Sequence, residues 1–416
     1  MSRPLYAGEP CFARIDNFSG PCPGLRSGAP ACRQCCPGAA SRWPGEPQGV
    51  HRLASRAAAR PSLDFLHALP KTDLHVHLDG SLRPSTILEL ARHRDTGYTF
   101  RTLDDVRAVC QVPEDCPSLV EYLRVFDITL KLMQTRESLV RVAYELAEDA
   151  HRENVRYMEV RYSPLLHLNE GLAYDEIVAA VQEGLELGRR QYGIVCGQII
   201  CGIRHISAAS SLELAELAVR WKGRGVVGFD LAGAEKDYPA KDHIEACLYV
   251  LNNNINITIH AGEAFGAPSI HQALHYCRAH RIGHGTHLIE DTDLMAWVND
   301  RRIPVELCLA SNVQTKAIPD LQSHPIRRFM EEGLRVTLNT DNRLVSGTTV
   351  TNEFRLAVEN YDLSEDEVLG LVMNGFKSAF LPLKDKTQLV DQALVEFASQ
   401  GASFSGEISR RRRSQI

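Results

Sequence analysis

The sequence predicts an α/β fold, a (β/α)8 TIM barrel with a helical insertion after its first strand. Three observations point there. Eight short apolar runs alternate with segments of helical period; polar residues able to bind metal gather at the ends of four of those runs; and 416 residues suffice for one large barrel with insertions. The strand candidates, in order, are Asp73–Leu78, Val155–Tyr162, Ile194–Ile203, Val226–Leu231, Ile255–His260, Arg281–His284, Ile303–Leu309 and Leu334–Asn339. Segments of period 3.6 follow them, such as Tyr174–Tyr192 ending at Gly193 and Ser211–Lys222 ending at Gly223. Strand, crossover helix, strand is the pattern of a parallel sheet, and eight such units suit a closed barrel. The first connection is too long for one helix. Ile87–Arg92, Ser118–Met133 and Glu137–His151 read as helices within it, and Ser118 with Glu121 has the spacing of a capping box. Their position predicts an insertion near the mouth of the barrel.

Both ends differ in character. Residues 1–61 are rich in Pro, Gly, Arg and Cys, poor in acids and without periodicity, which reads as a disordered extension, with a transit peptide as the lesser alternative. The barrel domain is expected over 62–400. Residues 401–416, with the basic run Arg410–Arg413, read as a solvated tail. Hydrophobic residues make up 44% and charged residues 24%, ordinary values for a globular chain. A formal net charge of −6 gives no electrostatic case for nucleic acid or an anionic membrane. No apolar stretch is long enough to span a bilayer, and no signal-peptide core opens the chain, so the cytoplasm is the expected location. Of twelve cysteines, five fall in the first forty residues. The other seven read as buried free thiols, and Cys32, Cys35 and Cys36 lack the second ligand pair that a zinc knuckle needs.

The chemistry concentrates at strand ends. In a parallel barrel the carboxyl ends of different strands converge on one face. The first strand ends in TDLHVHLDGS, with His75 and His77 two apart and so on the same side. The fifth ends in ITIHAGE, with His260 and Glu263; the sixth gives His284 in RIGHGT, and the eighth Asp341 in TLNTDNR. Each alone has an ordinary explanation: a core histidine, a turn cap, a solvated acid. Together at four strand ends they describe a nitrogen-rich site for one Zn²⁺ per chain, with a position left for a water that the ion activates near neutral pH. Glu263, beside His260, is placed to deliver a proton, and His284 to orient the water and shuttle its proton. The fourth run, VVGFDLAG, has no lysine to bridge two metals. A Walker P-loop, a GxSxG elbow and the HxE…PCxxC deaminase signature are all missing from the sequence.

LPKTDLHVHLDGSL, MEVRYSP, GFDLAGAE, HAGE, RIGHG, ELCLASN and TLNTDN, in this order, resemble the motifs of the adenosine deaminase family of the amidohydrolase superfamily, in its bacterial form. The likeness runs from about Leu69 to Leu383. It implies His75, His77, His260 and Asp341 as zinc ligands, Glu263 as proton donor to purine N1, and His284 as the group aligning the attacking hydroxide. It further implies that Gly233 offers its amide to purine N3, that Asp79 bonds the ribose 5′-hydroxyl, and that His77 borders the substrate. Many members carry TDD where this chain has TDN; the Asn342 amide can donate to N7 without needing protonation. The implied reaction is hydrolytic deamination of adenosine and 2′-deoxyadenosine, a step of purine salvage. Deamination of another adenine compound, such as 6-aminodeoxyfutalosine, methylthioadenosine or adenine, is the alternative. A non-catalytic nucleoside-binding barrel or a metal-dependent phosphoesterase is more remote. Oligomeric state is not legible in one sequence.

Overall fold

The computed structural model describes residues 60–94, 97–113 and 115–399, so the N-terminal extension before Arg60, the Cys32–Cys36 cluster and the basic tail lie outside the described residues. Eight parallel strands form one sheet in sequence order: β1 (Lys71–His77), β2 (Val155–Tyr162), β3 (Val195–Ile203), β4 (Val226–Ala232), β5 (Asn256–Ala261), β6 (Arg281–His284), β7 (Val305–Leu307) and β8 (Val336–Leu338). A bridge between Val76 and Asp341 brings the chain just past β8 back onto β1. There His77 N–H donates to the Asp341 carbonyl at 2.7 Å and Asp341 N–H to the His75 carbonyl at 2.8 Å. The closure therefore passes through three of the expected metal ligands.

The strands are buried on both faces, as parallel strands covered by helices must be, and their outward residues pack under the helical layer. Tyr174–Tyr192 forms as expected and ends at Gly193 in the left-handed region. The next helix runs Ala208–Arg220 rather than Ser211–Lys222, because Ser207 accepts a hydrogen bond from Ser210 N–H and starts it earlier. β7 and β8 are three residues each, shorter than the runs that announced them; β7 is cut short because the chain turns into the helix Leu309–Gln314 directly after Cys308.

Between β1 and β2 the chain folds Pro84–Leu90, Leu103–Cys110, Leu119–Leu123, Phe126–Leu132 and Arg136–Arg152. The expected single helix Ser118–Met133 is broken at Arg124–Val125, where i→i−3 bonds (Arg124 N–H to Glu121 O, Asp127 N–H to Arg124 O) replace the α pattern. Ser118 accepts from Glu121 N–H, which supplies one half of the anticipated capping box. Leu103–Cys110 has no counterpart in the expected elements, although Thr102 and Asp105 form a complete capping box at its start. The insertion packs on the segments following β7 and β8: Val112 N–H donates to Val345 O, Gln314 to Val112 O, and the Tyr122 and Ser346 hydroxyls share a bond of 2.7 Å. It thus lies at the carboxyl end of the barrel, as expected. All seven cysteines of the described residues are free, six of them buried and Cys196 half-buried. Among the described residues no helix is long and apolar enough to cross a membrane.

Candidate metal centre and active site

His75 and His77 leave β1 on the same side, His260 comes from β5, and Asp341 follows β8; one ligand atom from each lies within 4.8 Å of all the others. His75 and His260 are buried, and His77 is half-buried at the edge of the group. Asp341 and His284 both have left-handed backbones, φ 58° and 63°. Such conformations cost side-chain-bearing residues roughly 1 kcal/mol or more, and here they turn both side chains into the centre.

The donor set fits a divalent metal on its own chemistry. His75 Nδ1 lies 2.9 Å from the Glu306 carboxylate, so the ring proton sits there and Nε2 is a bare lone pair. His260 Nδ1 lies 3.0 Å from Asp230, with the same consequence. The two Nε2 atoms then face each other at 3.1 Å, His77 Nε2 lies 3.2 Å from that of His260, and Asp341 Oδ1 is 3.5 Å and 3.3 Å from His75 and His77. Acceptors so arranged repel unless a cation or a shared proton sits between them. Burial pushes His75 down to about 4 and His77 well below the usual histidine range, so both rings are neutral and able to ligate a cation. Burial also opposes a charge on His260, but the Asp230 carboxylate outweighs it and raises that pKa. Asp341, despite burial, is held well below the usual carboxylate range by the surrounding histidines, and Ser311 donates to its Oδ2 at 2.6 Å.

Glu263 and His284 flank this group. Burial raises the Glu263 carboxyl above its ordinary range, with His284 pulling the other way and Asp341 adding to the rise. Its Oε2 lies 3.7 Å from His284 Nε2. Asp79, just past β1, is buried, and its Oδ1 has no partner among the described residues. Asn342 Oδ1 is likewise buried without a partner. Gly233 follows β4 at φ 94°, a backbone conformation that side-chain-bearing residues rarely adopt, and a Cβ there would stand 2.8 Å from His205 Nδ1, so the turn calls for glycine.

Sequence reasoning passed over the residues behind this layer. Glu306 and Asp230 orient two ligands; Arg161, fully buried, bridges them at 2.9 and 3.0 Å. Glu235 accepts from the backbone N–H groups of Gly262, Glu263, Ala264 and Phe265 at 2.6 to 3.1 Å. Ser311 and Asn312 hold Asp341 and His284. A usable signal was present for some of them: a lone acid inside an apolar strand, as in GFDLAG and VELCLAS, has to face a partner in the lumen.

The adenosine deaminase family model matches residues 70–395. Adenosine deaminase 1 of Streptomyces coelicolor is 44% identical over 351 residues, covering 80% of this chain and 88% of that protein. Among solved structures, N6-methyl-AMP deaminase from Arabidopsis thaliana superposes with a TM-score of 0.71 at 31% identity, covering 80% of this chain and 99% of that one. Adenine deaminase from Arthrobacter aurescens gives 0.72 at 25% identity, over 78% and 98%. With the family's model spanning most of the chain and a group able to hold a metal at the carboxyl end of the barrel, this protein belongs to the adenosine deaminase family.

Proposed function

We propose that the protein hydrolyses adenosine and 2′-deoxyadenosine to inosine and 2′-deoxyinosine with release of ammonia, using one zinc ion held by His75, His77, His260 and Asp341. The observation that carries this reading is a group of three histidines and an aspartate able to hold a metal, with the buried carboxyl of Glu263 and His284 beside it. Zinc at this position supplies a Lewis acid that makes a water nucleophilic near neutral pH. Glu263 holds a proton on its carboxyl and delivers it to purine N1, which draws electrons from the neighbouring carbon as the water attacks. His284 aligns the attacking oxygen. The Gly233 amide and the Asn342 amide bond purine N3 and N7, His77 borders the substrate, and Asp79 accepts the ribose 5′-hydroxyl.

A second reading has an observation behind it, since solved relatives of similar likeness are named for adenine and for N6-methyl-AMP. Against a nucleotide stands Asp79, whose buried, unpartnered oxygen suits a hydroxyl donor better than a phosphate oxygen. The test is the ultraviolet change from adenine to hypoxanthine with the zinc-loaded full chain. Adenosine is run beside AMP, adenine, methylthioadenosine and 6-aminodeoxyfutalosine, with Glu263→Gln as the blank. Turnover of adenosine, lowered by about a hundredfold or more in the variant, is the expected result. Preference for another compound would keep the chemistry and replace the substrate; inactivity toward all five with zinc bound would remove the reading.

A further inference from the structure

We propose that His324 and Asn312 are positioning residues that fix the tautomer of His284, so that it presents an Nε2–H to the reacting centre and acts there as a hydrogen-bond donor. This rests on the role proposed for His284 above and makes it more specific: the ring aligns the attacking oxygen by donating to it, and does not take its proton in the resting state.

One chain of bonds runs inward from the helix Ile326–Glu331. The N–H of Ile326, in the first turn, has no helical acceptor and lies 3.1 Å from His324 Nδ1. A backbone amide can only donate, so His324 Nδ1 is a bare lone pair. His324 is buried, and burial, with His284 nearby, pushes its pKa down to about 3; the ring is neutral, and its one proton belongs to Nε2. That Nε2–H donates to Asn312 Oδ1 at 3.2 Å. With its oxygen committed, the Asn312 amide turns its NH2 to the other side, where Nδ2 lies 2.9 Å from His284 Nδ1. An amide NH2 can only donate, so His284 Nδ1 accepts, and the His284 proton is left on Nε2. That atom is the one facing Glu263, 3.7 Å from its Oε2.

Each link is forced by the one before it, and the first is a backbone amide that cannot reverse. This separates the chain from an ordinary cluster of buried polar groups, in which an amide or a ring can flip to suit its neighbours. The helix Leu309–Gln314 that carries Asn312 also carries Ser311, which donates to Asp341. One turn of helix thus orients both a metal ligand and the aligning imidazole. Asn312 is fully buried and His284 nearly so, so no exchange with bulk water competes for these bonds.

The experiment uses the full chain with ¹⁵N-labelled histidine, read by long-range ¹H–¹⁵N correlation of the ring nitrogens, with His284→Ala identifying the His284 signals. The wild type is expected to show a protonated Nε2 and a bare Nδ1 at His284, without metal as well as with zinc. Asn312→Asp replaces the donor by an acceptor of the same shape. It is expected to move the His284 proton to Nδ1 and to lower kcat for adenosine about tenfold or more while KM changes less than about threefold. His324→Phe, which frees Asn312 to rotate, is expected to lower kcat similarly, and His324→Gln, whose amide can stand in for Nε2–H, to restore most of it. An unchanged His284 tautomer in Asn312→Asp overturns the relay, as does a bare Nε2 in the wild type. A switched tautomer with unchanged kcat overturns its part in the reaction. Full turnover in His284→Ala would instead remove the reading of His284 itself, and the ring-nitrogen spectra would still decide whether the relay sets the tautomer.

Discussion

In the proposed reading, Asp79 carries selectivity without touching the reacting atoms. Burial pushes its carboxyl up to about 7, with Asp341 adding to the rise against the pull of backbone N–H groups, and its Oδ1 has no partner of its own. An acceptor left bare in a buried place costs free energy until a ligand donates to it, and on the proposed function a hydroxyl at the sugar 5′ position is that donor. A phosphate offers only acceptors and negative charge there, and against the ionised form of Asp79, which prevails above about pH 7, a like-charge contact at about 4 Å costs a few kcal/mol at the effective dielectric of a protein. Asp79→Asn, which removes the charge and adds a donor, is expected to raise KM for adenosine and to narrow the adenosine-to-AMP preference by about tenfold or more. Comparing kcat/KM for the two substrates decides it; an unchanged ratio would move selectivity elsewhere. At this scale the sequence was most informative where a polar residue falls near or just past the carboxyl end of a strand, as His75, His77, His260, His284 and Asp341 do. It was least informative for His324 and Asn312, whose meaning lies in a bond direction that no spacing encodes.

At the scale of elements, the turn after β4 organises the turn after β5. Both oxygens of Glu235 are spent on the consecutive amides of Gly262 to Phe265, a nest of N–H groups closed on a carboxylate. Glu263 sits inside that nest, so its placement depends on a residue of the neighbouring strand–helix unit. His260 lies before the nest and is held separately by Asp230. Glu235→Ala is therefore expected to lower kcat by roughly a hundredfold, the scale set by displacing a reacting group about 1 Å, while leaving bound zinc near one per chain. Elemental analysis beside steady-state kinetics separates the two effects. Loss of zinc along with activity, or full activity, would show that the nest does not serve Glu263. The same dependence explains which elements could be read in advance. Tyr174–Tyr192 carries its own periodicity and its own stop at Gly193, so local information suffices. The break at Arg124–Val125 occurs inside a continuous helical pattern, where the insertion folds against Ser346 and Val345 from the far end of the chain. Tertiary packing overrides propensity at such places.

For the whole molecule, alternation of strand and helix announced the barrel, but its closure joins residues more than 260 apart and could not be read from any window of sequence. Nor could the content of its lumen. Apolar side chains fill the space between strands and helices, whereas Arg161, Arg281, Glu159, Asp230 and Glu306 meet inside the ring with almost no exposure. Arg281, at the start of β6, pairs with Glu159 of β2 and, at 2.5 Å, with Glu306 of β7; it also donates to Ser378 O at 2.8 Å and stacks over Phe380 at 3.5 Å. It therefore ties opposite sides of the barrel to the segment that carries Ser378 and Phe380, and through Glu306 to His75. Replacing such a network wholesale by apolar residues can be neutral, but removing one partner strands the others in a medium that cannot solvate them, at about 3–5 kcal/mol. Arg281→Met keeps much of the volume and discards the charge, leaving Glu159 without its cation and Glu306 with Arg161 alone. The expected outcome is a fall in the thermal midpoint on the order of 10 °C, followed by calorimetry of the full chain. Because Glu306 is what fixes the His75 tautomer, zinc should protect the variant less than the wild type against heating. A midpoint within a degree or two of the wild type, with equal protection by zinc, would mean that the barrel is held by its apolar layer alone and that the ionic lumen serves only to orient the ligands.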